Sequence, residues 1–202
     1  NHFQYTQKSS GTVTYQTVLY PVKAGTTATV QPTKLSLDVA NSVARGTKVN
    51  ITDSANPNLK TLYFYQSFES SPVSRAFSSF TTDGATAVIA MDASSVRNFA
   101  AMVNGSAITV TESAIPVLQT SAKVTDISAT LTGSTLAIES SDEDVHNLTI
   151  SVNFAGATIS KVTVNGEETP FYTNTDSTVI VGQHIIHFYG DDMGLTSNWT
   201  TN

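Results

Sequence analysis

The stretch Ile159-Ser160-Lys161-Val162-Thr163-Val164-Asn165-Gly166-Glu167 decides the fold class. Val162 and Val164 alternate with Lys161 and Thr163, the period of two that a half-buried strand shows. Asn165-Gly166 follows at once. Both residue types tolerate φ > 0, as the two central positions of a type I′ turn require. The stretch therefore reads as a β-hairpin.

The same signs recur outward from it. Asp83-Gly84 and Asn104-Gly105 read as two more tight hairpin turns. Residues 12–20 alternate, with Val13, Tyr15, Thr17 and Leu19 on one face. Leu35, Leu37 and Val39 alternate with Ser36 and Asp38, and further strands are predicted at 48–52, 62–66, 86–91 and 107–111. The breaks between them are rich in Gly, Pro, Asn, Asp and Ser, as in Asp53-Ser54-Ala55-Asn56-Pro57-Asn58. A second series of strands is expected at 122–131, 135–139, 147–154, 159–164 and 178–188, with an acidic turn at 141–144. Val96 and Phe99 suggest a helical turn within 94–102 but are too few to define one, so helix content should be small. No repeat of fixed period is present. The pattern predicts an all-β chain: an antiparallel β-sandwich portion over 1–115, a smaller β-sheet or β-sandwich domain over 116–190 beginning near Pro116, and a linker or tail over 191–202.

Composition agrees. The chain has 202 residues, 40% of them hydrophobic, which is enough for a sizeable core. Ser and Thr together number 55, and the β-branched Thr suits a pleated strand better than a helix. Ten basic residues against 16 acidic ones give a net charge of −6, a poor basis for gripping nucleic-acid phosphates. Cysteine is absent, which excludes disulfides, thiolate metal sites and a cysteine nucleophile. No apolar run approaches the ~20 residues of a membrane span. Low charge with abundant Thr, Ser and Asn fits an exported protein, whether secreted, periplasmic or at the cell surface. Both ends read as cut from a longer chain. Asn50, Asn104, Asn147 and Asn198 are N-glycosylation acceptors by pattern, which bears on the protein only if a eukaryote makes it.

Tyr15-Gln16-Thr17-Val18-Leu19-Tyr20-Pro21-Val22-Lys23 resembles a strand of the C-terminal β-sandwich region of heparinase II/III-like polysaccharide lyases. Phe80-Thr81-Thr82-Asp83-Gly84-Ala85 resembles a hairpin of the same region, Asn104-Gly105-Ser106 is compatible with its closing strand, and Val162-Thr163-Val164-Asn165-Gly166-Glu167 is similar to the small β-domains that end several polysaccharide lyases. The resemblance implies an alginate-lyase-like enzyme that cleaves a uronate-containing polysaccharide, alginate or a glycosaminoglycan, by β-elimination. In that family the Asn, His and Tyr of the reaction come mainly from a helical toroid, and no amphipathic helical array is present here. The chain is thus expected to be a non-catalytic accessory portion that supports the toroid, helps shape the cleft in which the parent enzyme meets the acidic polysaccharide, with contact to that substrate open to it, and carries no cofactor. The rivals are a stand-alone carbohydrate-binding module and a structural or adhesive cell-surface β-domain.

Each candidate site residue has a plain reading beside the functional one. His2 is the candidate for an acid/base or metal ligand donated to the toroid, and an exposed His at a chain end outweighs it. His184 and His187, with Asp191 and Asp192 beyond, invite a metal reading. On a strand, residues three apart face opposite sides, which argues against a shared ion. Asp142, Glu143 and Asp144 lack the spacing of a calcium loop and read as a solvated turn. Glu167 and Glu168 beside the hairpin turn read as solvent-facing. Tyr63 and Tyr65 share one strand face and would make a sugar-stacking platform if that face were exposed, although packing at the core or rim is the stronger reading. Lys8, Lys23, Lys34, Arg45 and Lys48 concentrate basic charge in the first quarter, where a polyanion can be met locally.

Overall fold

Lys161–Val164 is a strand in the computed structural model, and it turns through Asn165 (φ 49°) and Gly166 (φ 82°) into Glu167–Glu168. Two positive φ values in succession are what a type I′ hairpin needs, so this turn forms as the sequence predicts. The structure describes residues 18–182, and of Leu59 only the backbone. Of the strands expected at 12–20 and 178–188, residues 12–17 and 183–188 lie outside the described residues, as do His2, His184, His187, Asp191 and Asp192; residues 18–20 join no strand, because they pair with no neighbour, and Val179–Val181 forms one.

The described residues are nearly all β. Two long strands organise them, β7 (Arg97–Val110) and β8 (Pro116–Thr132), which pair antiparallel along most of their length. Each half of each long strand has a different outer neighbour. On one side of β7, residues 97–103 pair with β6 (Thr86–Asp92), which continues to β3 (Leu59–Ser67), β2 (Ala44–Asp53) and β1 (Ala28–Lys34). Residues 108–110 of β7 pair instead with β5 (Phe80–Thr82), which pairs with β4 (Arg75–Phe77). In β8, residues 118–120 pair with β10 (Ile150–Val152), followed by β14 (Val179–Val181) and β13 (Phe171–Thr173). Residues 128–132 of β8 pair with β9 (Thr135–Glu139). Next to β9 lies β11 (Lys161–Val164), in parallel, with β12 (Glu167–Glu168) beyond it. A 3-10 turn at Val145–Asn147 precedes β10. Pro116, where the sequence suggests a boundary, opens β8 and thus sits inside one hydrogen-bonded network.

The two arms part where β7 and β8 lose register, between Gly105 and Ala107 on one strand and Val124 and Gln119 on the other. Asn104-Gly105 is therefore no hairpin turn. Asn104 takes a left-handed φ of 50° inside β7, next to the irregularity where the single Ser106 of β7 stands against four extra residues, 120–123, of β8. Asp83-Gly84 is not a type I′ turn either, since neither residue has positive φ. The β8–β9 hairpin turns instead at Gly133-Ser134, with φ of 61° at Gly133 only, the II′ pattern.

The core lies where the arms face each other. Tyr65 on β3 packs its ring 5.2 Å from that of Phe77 on β4, and Tyr63 meets Phe80 on β5 edge-on at 5.3 Å. Ile89, Met102, Ile108, Leu118, Leu136 and Ile138 are buried in the same cluster. Two sequence expectations differ from the structure. Leu35, Leu37 and Val39 do point inward and pack on the core, but residues 35–39 join no ladder, so alternation there marks burial without pairing. Residues 94–102 contain a turn and the start of β7, not a helical turn. Asp92 Oδ1 accepts from the N–H groups of Ser94 and Val96, which ends β6 and starts β7.

Candidate functional site

Strand pleating gives β2, β3 and β6 one face toward the core and one away from it. Ala44, Tyr65, Ala87 and Ile89 take the inner face. On the opposite face, cross-strand pairing aligns Lys34, Thr47, Phe64 and Val88 in one row, and Pro32, Val49 and Leu62 in the next. A third pair, Arg45 and Gln66, lies on the other side of the first row. These rows form the floor of an open groove of about 850 Å³, bordered by Val18 and Leu19.

The groove combines an apolar floor with a charged rim. Arg45 is held by Nε donating to the Asn41 carbonyl oxygen at 3.0 Å, and its guanidinium lies 5.8 Å from the centre of the Phe68 ring. Lys34 ends the edge strand β1 and is exposed. Asn41 and Gln66 add amide groups to the lining. Two cations, two amides and an apolar floor can together meet the carboxylates, hydroxyls and C–H faces of a polyanionic sugar chain. Two smaller cavities are less suited. One of about 430 Å³ is lined by Thr27, Thr29, Thr52, Asp53 and Lys60, and Asp53 there already accepts from the Tyr20 hydroxyl at 2.5 Å. The other, of about 490 Å³, is bordered by Lys161 and Glu168, which pair with each other at 2.7 Å.

The tyrosines named from the sequence do not build a platform. They do share a face, but that face is the inner one. Tyr65 is wholly buried and Tyr63 half-buried, with Lys48 5.6 Å from the Tyr63 ring centre. Lys48 thus belongs to the face opposite Lys34 and Arg45. Burial raises the Tyr65 pKa, only partly offset by Ser67 and Arg75. The Tyr65 Oη is buried with no hydrogen-bond partner.

The acidic turn is structural. Asp142 Oδ2 accepts from Thr125 N–H at 2.7 Å, and Asp144 Oδ1 accepts from Asn147 Nδ2 at 3.3 Å. Glu167 and Glu168 are exposed. Among the described residues no group of three or more His, Asp or Glu side chains is placed to hold a metal ion, and no helix is long and apolar enough to cross a membrane. Sequence reasoning found Lys34 and Arg45 as basic residues and missed Phe64, Val88 and Gln66. Only pairing register shows that these share a face with the two cations. No family model matches the chain, and no curated protein matches it.

Proposed function

We propose that the chain is the non-catalytic β portion of a secreted polysaccharide lyase that acts on a uronate-containing polymer, alginate or a glycosaminoglycan, by β-elimination, and that the groove on β1, β2, β3 and β6 contacts that polymer. The remainder of the parent enzyme, a helical toroid, supplies the catalytic groups, and this portion supports it. The resemblance of residues 15–23 and 80–85 to heparinase II/III-like sandwiches supports the first part.

The observation that carries the second is the placement of Lys34 and Arg45 on the same face as Phe64. A net charge of −6 disfavours polyanion binding by the molecule as a whole, so contact must be local. The groove meets that condition, because among the described residues its lining carries Lys34 and Arg45 and no acidic side chain.

Affinity electrophoresis in gels containing alginate, heparin or chondroitin tests the reading. Retardation by at least one of these polymers, lost as salt is raised, is the expected result. Retardation by a neutral glycan alone transfers the groove to a stand-alone carbohydrate-binding module. No retardation by any glycan leaves a structural or adhesive β-domain.

A further inference from the structure

Arg97 opens β7, and its half-buried guanidinium leans on the opposite arm. Nε donates to the Asn153 carbonyl oxygen at 3.2 Å, and Nη2 donates to Asn153 Oδ1 at 3.3 Å. Both acceptors are neutral. The ion pairs among the described residues are Arg75–Glu69 and Lys161–Glu168, so no carboxylate balances Arg97. Burial lowers its pKa and no nearby acid offsets that.

Asn153 is itself fixed. It is 2% exposed, its Nδ2 donates to the Asp176 carbonyl oxygen at 3.0 Å and to Thr178 Oγ1 at 3.1 Å, and its backbone N–H donates to the Val117 carbonyl oxygen at 3.2 Å. One edge of the guanidinium is thereby anchored on a rigid amide. Nη1 and the second N–H of Nη2 donate to none of the described residues. They are not sealed in, because Tyr65 Oη is the only buried, unpartnered side-chain polar atom among the described residues.

We propose that Arg97 is an oxyanion-binding residue whose open Nη1–Nη2 edge takes a carboxylate or sulfate group in a two-bond fork, with Asn153 as its positioning residue. A planar guanidinium matches two oxygens of such a group, and a partly desolvated cation without a counter-charge gains more from an anion than an exposed one does. Holding the fork in place before binding lowers the ordering cost. The site shares no residue with the groove and stands without the groove's reading. The same two-oxygen chemistry is offered by a uronate carboxylate, a sulfate ester and inorganic sulfate.

Nitrogen-15 side-chain spectra of the full chain, titrated with sodium sulfate, sodium acetate and a short oligouronate at constant ionic strength, test it. The Arg97 Nε–H resonance should shift to saturation, while Arg75, already bonded to both oxygens of Glu69, should not move. Arg97→Lys keeps the charge but loses the fork and should weaken binding about tenfold, as should Asn153→Ala if its amide spectrum remains folded. Saturation by all three anions assigns a general oxyanion site, and saturation by the oligouronate alone assigns a saccharide-borne carboxylate. No saturable shift with any of them, or an Arg97→Lys variant that binds like the wild type, overturns the proposal.

Discussion

Asp83 holds Ser106 with both of its carboxylate oxygens. Oδ1 accepts from the Ser106 backbone N–H at 2.8 Å, and Oδ2 accepts from Ser106 Oγ at 2.6 Å. Oδ1 also accepts from Ala107 N–H at 2.8 Å. The clamp ties the β5–β6 connection to the point in β7 where its register with β8 shifts and the two arms part. Asp83→Ala removes three charge-assisted hydrogen bonds and leaves two backbone donors without their acceptor. It should cost about 2–3 kcal/mol, seen as a lower urea midpoint at unchanged slope.

The same clamp sets a pH dependence. Burial alone would raise the Asp83 pKa, but hydrogen bonds from the Ser106 hydroxyl and the Ser106 and Ala107 N–H groups outweigh it and hold the carboxyl low. The unfolded chain then takes up this proton first, so the stability is full above the ordinary Asp value of about 4 and fades as pH falls through the folded value. The stability difference between wild type and Asp83→Asn should be flat above about pH 5 and shrink below about pH 4. A difference that is the same at both ends of an acid titration contradicts the assignment.

Glycine replacements should separate close approach from turn conformation. An alanine Cβ at Gly105 would stand 2.5 Å from Gly84 Cα, and one at Gly182 would run into the Leu148 carbonyl oxygen at a left-handed φ of 136°. Each substitution should cost about 3 kcal/mol in chemical denaturation. Gly133 and Gly166 have open space around them and only the positive φ to satisfy, so alanine there should cost about 1 kcal/mol.

Tyr65 makes the opposite kind of prediction. Its hydroxyl is buried without a partner, so Tyr65→Phe should raise stability by about 1 kcal/mol in thermal denaturation. Tyr65→Ala should lower it by about 3–5 kcal/mol through the cavity left against Phe77. A destabilised phenylalanine variant would show that Oη does bond in solution.

These residues also show which parts of the molecule its sequence makes legible. Asn165-Gly166 reads correctly because a two-residue turn is set by its own φ angles. Asn104-Gly105 has the same chemistry, but its glycine is there for the approach of Gly84, a contact 21 positions away in the chain. Alternation places Tyr63 and Tyr65 on one face and cannot say which face is inside, since both faces of β3 are partly covered. The groove needed register: Lys34 pairs with Thr47 and Thr47 with Phe64, relations that no local pattern encodes. Arg97 has no sequence signal at all, because Asn153 lies 56 residues away.

Polyanion contact at the groove is tested most directly by calorimetric titration of the wild type and of a Lys34→Gln/Arg45→Gln double variant with a short oligouronate at low ionic strength. The wild type should bind saturably, with affinity weakened about tenfold in the double variant and further by added salt. Equal affinities in the two proteins, or a wild type that takes up no oligouronate, would contradict it.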